Sequence, residues 1–338
     1  MRNYLNRILL VLGMAMGMGA VKAQDPNFSQ YFSSPLTINP ANTGFFYGNQ
    51  RIVANYRRQW WGAGDPFTTA TVSFDMKGDG FTGNEFDTWG LGVSALTDKS
   101  AAGMLVSNYA GLSFAYHKAL DENGYSSLGL GFQASYVTRK VDLTHISFNS
   151  QFTSGGFDLN LPTGESYLAG TANHMDVSTG LLYKYDDETT AYYLGAGYMH
   201  VTQPKESILN SPDTKVPARL TLAGGVSLSV GYDSKLFLSG LYQNQANAST
   251  YAAGGAFQFG LPVQTADVCL YLGGWYSNAS ISPYLGMQYN TFQLGVTYDV
   301  VTSAIKTANP KNGSFELSLV YTFFQKDANE GKKIVPQF

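Results

Sequence analysis

From about residue 48 to residue 324 the sequence keeps returning to one rhythm, a large apolar or aromatic residue followed by a small or polar one. In "TTATVSFDM", Ala70, Val72, Phe74 and Met76 alternate with Thr69, Thr71, Ser73 and Asp75. In "LGLGFQASYV", Leu128, Leu130, Phe132, Ala134 and Tyr136 alternate with Gly129, Gly131, Gln133 and Ser135. "WGLGVSALT" and "FELSLVYTFF" repeat the pattern, the latter setting Phe315, Leu317, Leu319, Tyr321 and Phe323 against Glu316 and Ser318. Successive strand residues point to opposite faces, so each stretch predicts a strand with one apolar and one polar face. A soluble β-sandwich also alternates, but it turns a charged face to water. Here charged residues are only 13% of the chain while aromatics reach 14%. The apolar faces therefore find no charged coat, and residues such as Leu91, Leu130 and Phe132 would be bare patches in water.

These features predict an all-β chain, a transmembrane antiparallel β-barrel that is apolar outside and polar inside. About fourteen segments qualify, near residues 49–57, 68–77, 88–98, 105–117, 126–138, 174–184, 190–201, 216–230, 235–243, 248–259, 267–276, 281–288, 291–300 and 314–324. The mean hydropathy of -0.12 excludes a bundle of transmembrane helices, and a net charge of -3 argues against nucleic acid as a partner. If the barrel starts in the periplasm, odd-numbered connections face outward. These include Arg58 to Phe67, the piece between about Arg139 and Asn173, and Thr202 to Lys215. Most even-numbered ones are shorter, as barrels of this kind have it.

The ends divide from the barrel (residues 48–324). Residues 1–23 read as an export signal, with Arg2 and Arg7 before the apolar run Ile8 to Ala20 and cleavage expected near Ala23/Gln24. An exported chain of this composition is expected in a bacterial outer membrane. Residues 24–47 have no clean period, and Phe28, Tyr31, Phe32, Asn39 and Pro40 are their expected anchors. This periplasmic segment either folds into the lumen as a plug or hangs as a leader. The tail, residues 325–338, is also expected on the periplasmic side.

Chemistry is sparse. His117, His145, His174 and His200 lack metal-ligand spacing, Cys269 has no partner cysteine, and no nucleophile motif or phosphate loop appears. His174 and Ser178 share a strand face but stand about 13 Å apart along it, too far for a nucleophile and its base. The expectation is no enzyme, no metal and no cofactor. Trp60 and Trp61 close the first strand, where they fit the aromatic girdle of a membrane interface or a partner contact. "GYMHVTQPKESI" ends another strand, since Pro204 cannot donate a ladder hydrogen bond. His200, Gln203, Pro204 and Lys205 there are expected to form an outward rim that orders a loop or meets a partner.

"FSQYFSSPLTINPANTGF" (Phe28 to Phe45), then "RIVANYRRQWW" (Arg51 to Trp61), resembles the start of the PorP/SprF family, outer-membrane proteins of type IX secretion and gliding in Bacteroidota. The matching residues are Phe28, Ser29, Gln30 and Tyr31, Asn39, Pro40, Ala41 and Gly44, and Asn55, Tyr56, Arg57, Gln59 and Trp60. Later, His200, Gln203 and Pro204 resemble the family's H-x-x-Q-P motif. The ending "IVPQF" carries Val335 and Gln337 where the family more often has Cys and Arg. The resemblance implies a barrel of about fourteen strands that works without catalysis. It also implies partners: a secreted adhesin or its C-terminal sorting domain, and periplasmic components of the secretion and gliding machinery. Outer-membrane lipid surrounds the barrel. The alternative is a channel for small solutes, which calls for an open lumen lined by a ring of charge.

Overall fold

A backbone that crosses lipid finds no water to bond, so a sheet can span the membrane only if it has no free edge. This chain meets that condition by pairing its first strand with its last. The computed structural model describes residues 25–60, 66–100, 103–142, 147–164, 169–187, 189–206, 215–231, 233–263, 265–302 and 313–324. Its strands are β1 (Gln50–Gln59), β2 (Phe67–Asp79), β3 (Thr88–Ser100), β4 (Leu105–Ala119), β5 (Ser126–Asp142), the short β6 (Phe152–Thr153) and β7 (Gly156–Phe157), β8 (Ala169–Asp186), β9 (Thr190–Met199), β10 (Arg219–Ser229), β11 (Ser234–Gln245), β12 (Ala248–Leu261), β13 (Val268–Ser277), β14 (Ser280–Tyr289), β15 (Phe292–Val301) and β16 (Ser314–Phe323). All but β6 and β7 form one closed antiparallel barrel of fourteen strands, each beside its neighbour in sequence. β1 closes it by pairing with both β2 and β16, Asn55 lying opposite Thr71 and Ser318. The expected barrel strands are all present, shifted by a few residues at their ends. β6 and β7 make a separate hairpin inside the long β5–β8 connection.

The alternation maps onto the wall as read. Thr69, Thr71, Ser73 and Asp75 face inward and are buried, while Val72 is exposed on the lipid face. Gln133 and Ser135 are buried, whereas Leu128, Leu130, Phe132 and Tyr136 are exposed. Aromatics gather near the strand ends: Phe81 stacks between Trp89 and Tyr116, with ring centroids 6.2 and 5.9 Å away. Connections after odd barrel strands include the longest ones, β5–β8, β9–β10 and β15–β16. The β11–β12 hairpin at the same end is only Ala246 and Asn247, both at positive φ (54° and 66°) as a tight two-residue turn requires. We call these the long-loop end and the short-turn end.

The segment before β1 is a plug inside the lumen. It enters at the long-loop end, where Asp25 meets Arg219 at the start of β10, and descends to Asn49, whose N–H donates to Phe323 at the short-turn end. The segment was read as irregular. It contains three single helical turns, Tyr31–Ser33, Pro35–Ile38 and Pro40–Asn42. Pro opens the latter two, and the Asn39 side chain accepts the Ala41 N–H at 2.9 Å. Turns this short carry no periodicity to read. Phe28, Tyr31, Asn39 and Pro40 are buried, and the Phe32 ring lies 4.8 Å from Trp275 and 5.6 Å from Tyr284. All five expected anchors are therefore inside the barrel.

Inward glycines make room for the plug. A Cβ on Gly131 would overlap the Ala41 amide, and one on Gly180 would overlap the Asn39 side chain. A Cβ on Gly197 would come 2.6 Å from the Ile38 carbonyl oxygen. Gly131→Val is accordingly expected to unseat the turn at Pro40 at a cost of about 1–3 kcal/mol, the usual range for overpacking. Protease cutting within residues 25–49 of the folded barrel measures this, with lipid-facing Ala134→Val as the control that should not change it.

Candidate functional site

Buried polar groups gather at the interface between plug and wall, in three tiers. At the long-loop end, Asp25 Oδ2 lies 3.0 Å from Arg219 Nη1 and 2.7 Å from His200 Nε2. His200 Nδ1 is 2.8 Å from Asp176 Oδ2, and Arg219 Nη2 donates to the Thr37 carbonyl at 2.8 Å. His200 follows β9 directly and is buried, with φ at 57°. Burial opposes its charge, but the hydrogen bonds to Asp176 and Asp25 outweigh that and raise its pKa to about 9. For Asp25 burial pushes upward, while Arg219 and His200 more than offset it and hold the carboxyl below the usual carboxylate range.

A pH dependence follows. The raised His200 contributes seating energy that is complete below its unfolded value of 6.5 and is lost as pH rises through about 9. The depressed Asp25 contributes seating energy present above its unfolded value of 3.8 and lost as pH falls below it. Protease access to residues 25–49 is therefore expected to rise between pH 7 and pH 9, and His200→Gln should flatten that rise. A profile unchanged by the substitution would place the titration elsewhere.

The middle tier is built on Glu316, which has no exposed surface. Its two oxygens accept the Ser29 N–H at 2.8 Å, the Gln30 N–H at 2.9 Å and Asn55 Nδ2 at 2.9 Å. Arg57 donates to Asp299 Oδ2 at 2.7 Å and to the Asn27 carbonyl at 2.6 Å. Ser318 donates to Gln30 Oε1 at 2.6 Å. Lower down, Arg51 forks onto Asp75 through Nε at 3.0 Å and Nη2 at 2.8 Å. The same carboxylate accepts the Gly44 N–H at 2.9 Å, and His117 Nε2 meets the Thr43 carbonyl at 3.0 Å. Each buried charge thus has a partner, the condition under which burial is tolerated.

The rim residues named from sequence divide. His200 points into the lumen and holds the plug. Gln203 and Lys205 are exposed, and Pro204 is half-buried. The Gln203 N–H donates back to His200 at 3.0 Å, closing a turn. Trp60 is half-buried and packs edge-on against Phe67 at 5.0 Å. Trp61 lies outside the described residues, as do the export signal, His145 and the tail. Asp25, Arg51, Asp176, Arg219 and Asp299 were not singled out from sequence. The available signal was a charge at an inward position of a strand otherwise lined by Gly, Ser and Thr, as at Asp75 and Glu316.

An antiparallel barrel with a lipid-facing apolar exterior and a paired polar interior is an outer-membrane β-barrel protein. Residues 20–321 match the family described as "Type IX secretion system membrane protein PorP/SprF", and the chain belongs to that family. It is an outer-membrane component of type IX secretion. Among solved structures, a Pseudomonas aeruginosa FadL homologue shares 11% identity at a TM-score of 0.50, over 91% of this chain and 96% of that one. The Ralstonia pickettii toluene transporter TbuX shares 12% identity at a TM-score of 0.49, over 87% of this chain and 94% of that one. At this identity the likeness to the FadL homologue is one of fold. No curated protein matches the sequence.

The plug seat uses the residues that carry the family resemblance. Ser29 and Gln30 bond Glu316, and Asn39 caps a turn beside Gly180. The Gly44 amide bonds Asp75, Asn55 and Arg57 complete the middle tier, and His200 pins Asp25.

Proposed function

We propose that this chain is a non-catalytic docking barrel of type IX secretion. Its long-loop end faces outward and holds a secreted adhesin by its C-terminal sorting domain, supporting export and surface attachment. Its short-turn end meets periplasmic components of the secretion and gliding machinery. The observation that carries this reading is the filled lumen, where Asp75, Glu316, Arg57, His200 and Arg219 are spent on seating the plug rather than on a ring for passing solute. The rim residues Trp60, Gln203, Pro204 and Lys205 surround the plug's entry and are the expected partner contacts. Catalysis is no part of this reading, in which both His200 nitrogens are engaged by carboxylates and serve to hold the plug.

Deleting the gene is expected to abolish surface display of one adhesin while other type IX cargo still leaves the cell. Loss of all cargo would move the protein to the core machine, and unchanged display would remove it from secretion. Lys205→Ala with Gln203→Ala should leave the barrel folded and weaken retention of the partner on the cell surface.

A further inference from the structure

Below the plug, the short-turn end opens into a second space whose chemistry differs from the rim. Its walls include Phe45 at the foot of the plug, Lys77 of β2, Lys184 of β8, Tyr193 of β9 and Phe237 of β11. Counting its mouth and the solvent open to it, the empty space is about 630 Å³. Phe237 is buried, and the Phe45 and Tyr193 rings meet edge-on at 6.1 Å, which fixes a rigid apolar wall. Charge here is unbalanced. Lys77 Nζ donates to the Phe46 carbonyl at 2.8 Å and lies 5.6 Å from the Phe46 ring centroid. Among the described residues it has no carboxylate within ion-pair distance, because nearby Asp75 is spent on Arg51 and the plug's Gly44. Lys184 reaches only Asp186, at 3.5 Å, and keeps 30% of its side chain exposed. Two ammonium groups and one carboxylate thus edge a cavity with aromatic walls.

We propose that this mouth cavity binds a small organic anion with a flat or slender apolar body, its acid group on Lys77 and Lys184 and its body against Phe45, Tyr193 and Phe237. A neutral apolar molecule would leave the excess positive charge of Lys77 and Lys184 unmatched, and an inorganic anion would leave the aromatic wall wet. An anion joined to an apolar body satisfies both. The barrel's two ends then have separate tasks, since this site stands on the opposite side of the plug from the rim and does not depend on it.

The test is calorimetry on the full barrel in phosphatidylcholine nanodiscs, with 4-butylbenzoate as probe, its uncharged amide as comparison and empty nanodiscs as blank. Saturable binding of the acid is expected, with the amide about tenfold weaker or more, the worth of one lost charge-assisted contact. Lys184→Gln, which alters a half-exposed side chain at the mouth, should weaken the acid and spare the amide. Lys77→Gln, which can still bond the Phe46 carbonyl, should do the same. Adding phosphatidylglycerol to the nanodisc should compete if the natural anion is a lipid headgroup, and should have no effect if it is a free solute. Equal affinity for acid and amide, variants that bind the acid as tightly as the parent, or no saturable isotherm would each overturn the site.

Discussion

Purified barrel in planar bilayers should hold no steady open pore, and removal of residues 25–46 should produce one. The expectation rests on where the plug lies. It descends from Arg219 at the long-loop end to Lys77 at the short-turn end, and Phe28, Tyr31, Leu36, Ile38 and Phe46 are buried along the way. The fourteen-strand wall closes through its own ladder, with β1 paired on both sides independently of the plug. Removing the plug therefore exposes inward Ser, Thr and Asp side chains to water without opening a sheet edge. The deletion variant should keep the gel mobility of a folded barrel and conduct steadily. A large steady conductance in the intact protein would instead favour the solute channel. A deletion variant that folds and stays silent would mean that the wall collapses inward when emptied.

The second large effect is expected at Asp75. Asp75→Ala leaves the Arg51 guanidinium buried without its carboxylate and leaves the Gly44 amide without its acceptor. Breaking one partner of a buried ion pair costs about 3–5 kcal/mol. Replacing both partners by apolar residues, as in Arg51→Met with Asp75→Leu, should cost less, because no uncompensated charge remains. Urea unfolding in micelles, read by the shift between heated and unheated gel mobility, compares them. If the double variant loses as much as Asp75→Ala, the two charges are not coupled and the tier is held by something else.

The wall was legible because period two is enforced by lipid on one side and polar contents on the other. Val72 and Leu130 have no alternative face, so the register follows from the residues alone. Even the placement of Asp75 and Glu316 on the inner face was legible. Their partners were not. Glu316 accepts from Gln30 across 286 residues of chain, and nothing local in "FELSLV" says that its charge answers an amide near the start of the protein. The plug's path was also hidden, since three single helical turns broken by Pro35 and Pro40 have no period. His200 illustrates the gap. Its place at the end of a strand was plain, but whether the imidazole looks out to a partner or in to Asp25 depends on a residue 175 positions earlier. Gly131 was read only as the small half of an alternation, and Gly180 was not read at all. Their actual neighbours are Ala41 and Asn39, so their lack of a side chain is a fit to the plug.

The seat on Glu316 also bears on the order in which the molecule is made. Ser29 and Gln30 leave the translocation pathway first, while Glu316 and Asp299 belong to the last two strands. Until β15 and β16 are laid beside β1, the amides of Ser29 and Gln30 have no carboxylate to bond and Arg57 has no Asp299. The amides of Ser29 and Gln30 must therefore stay bonded to water until the latest part of the chain arrives. Contacts of such long sequence separation form slowly, and here they form only in a complete ring. A seated plug is thus a chemical record that the seam between β1 and β16 has closed, and any quality-control step that reads the plug would be reading the completeness of the whole barrel.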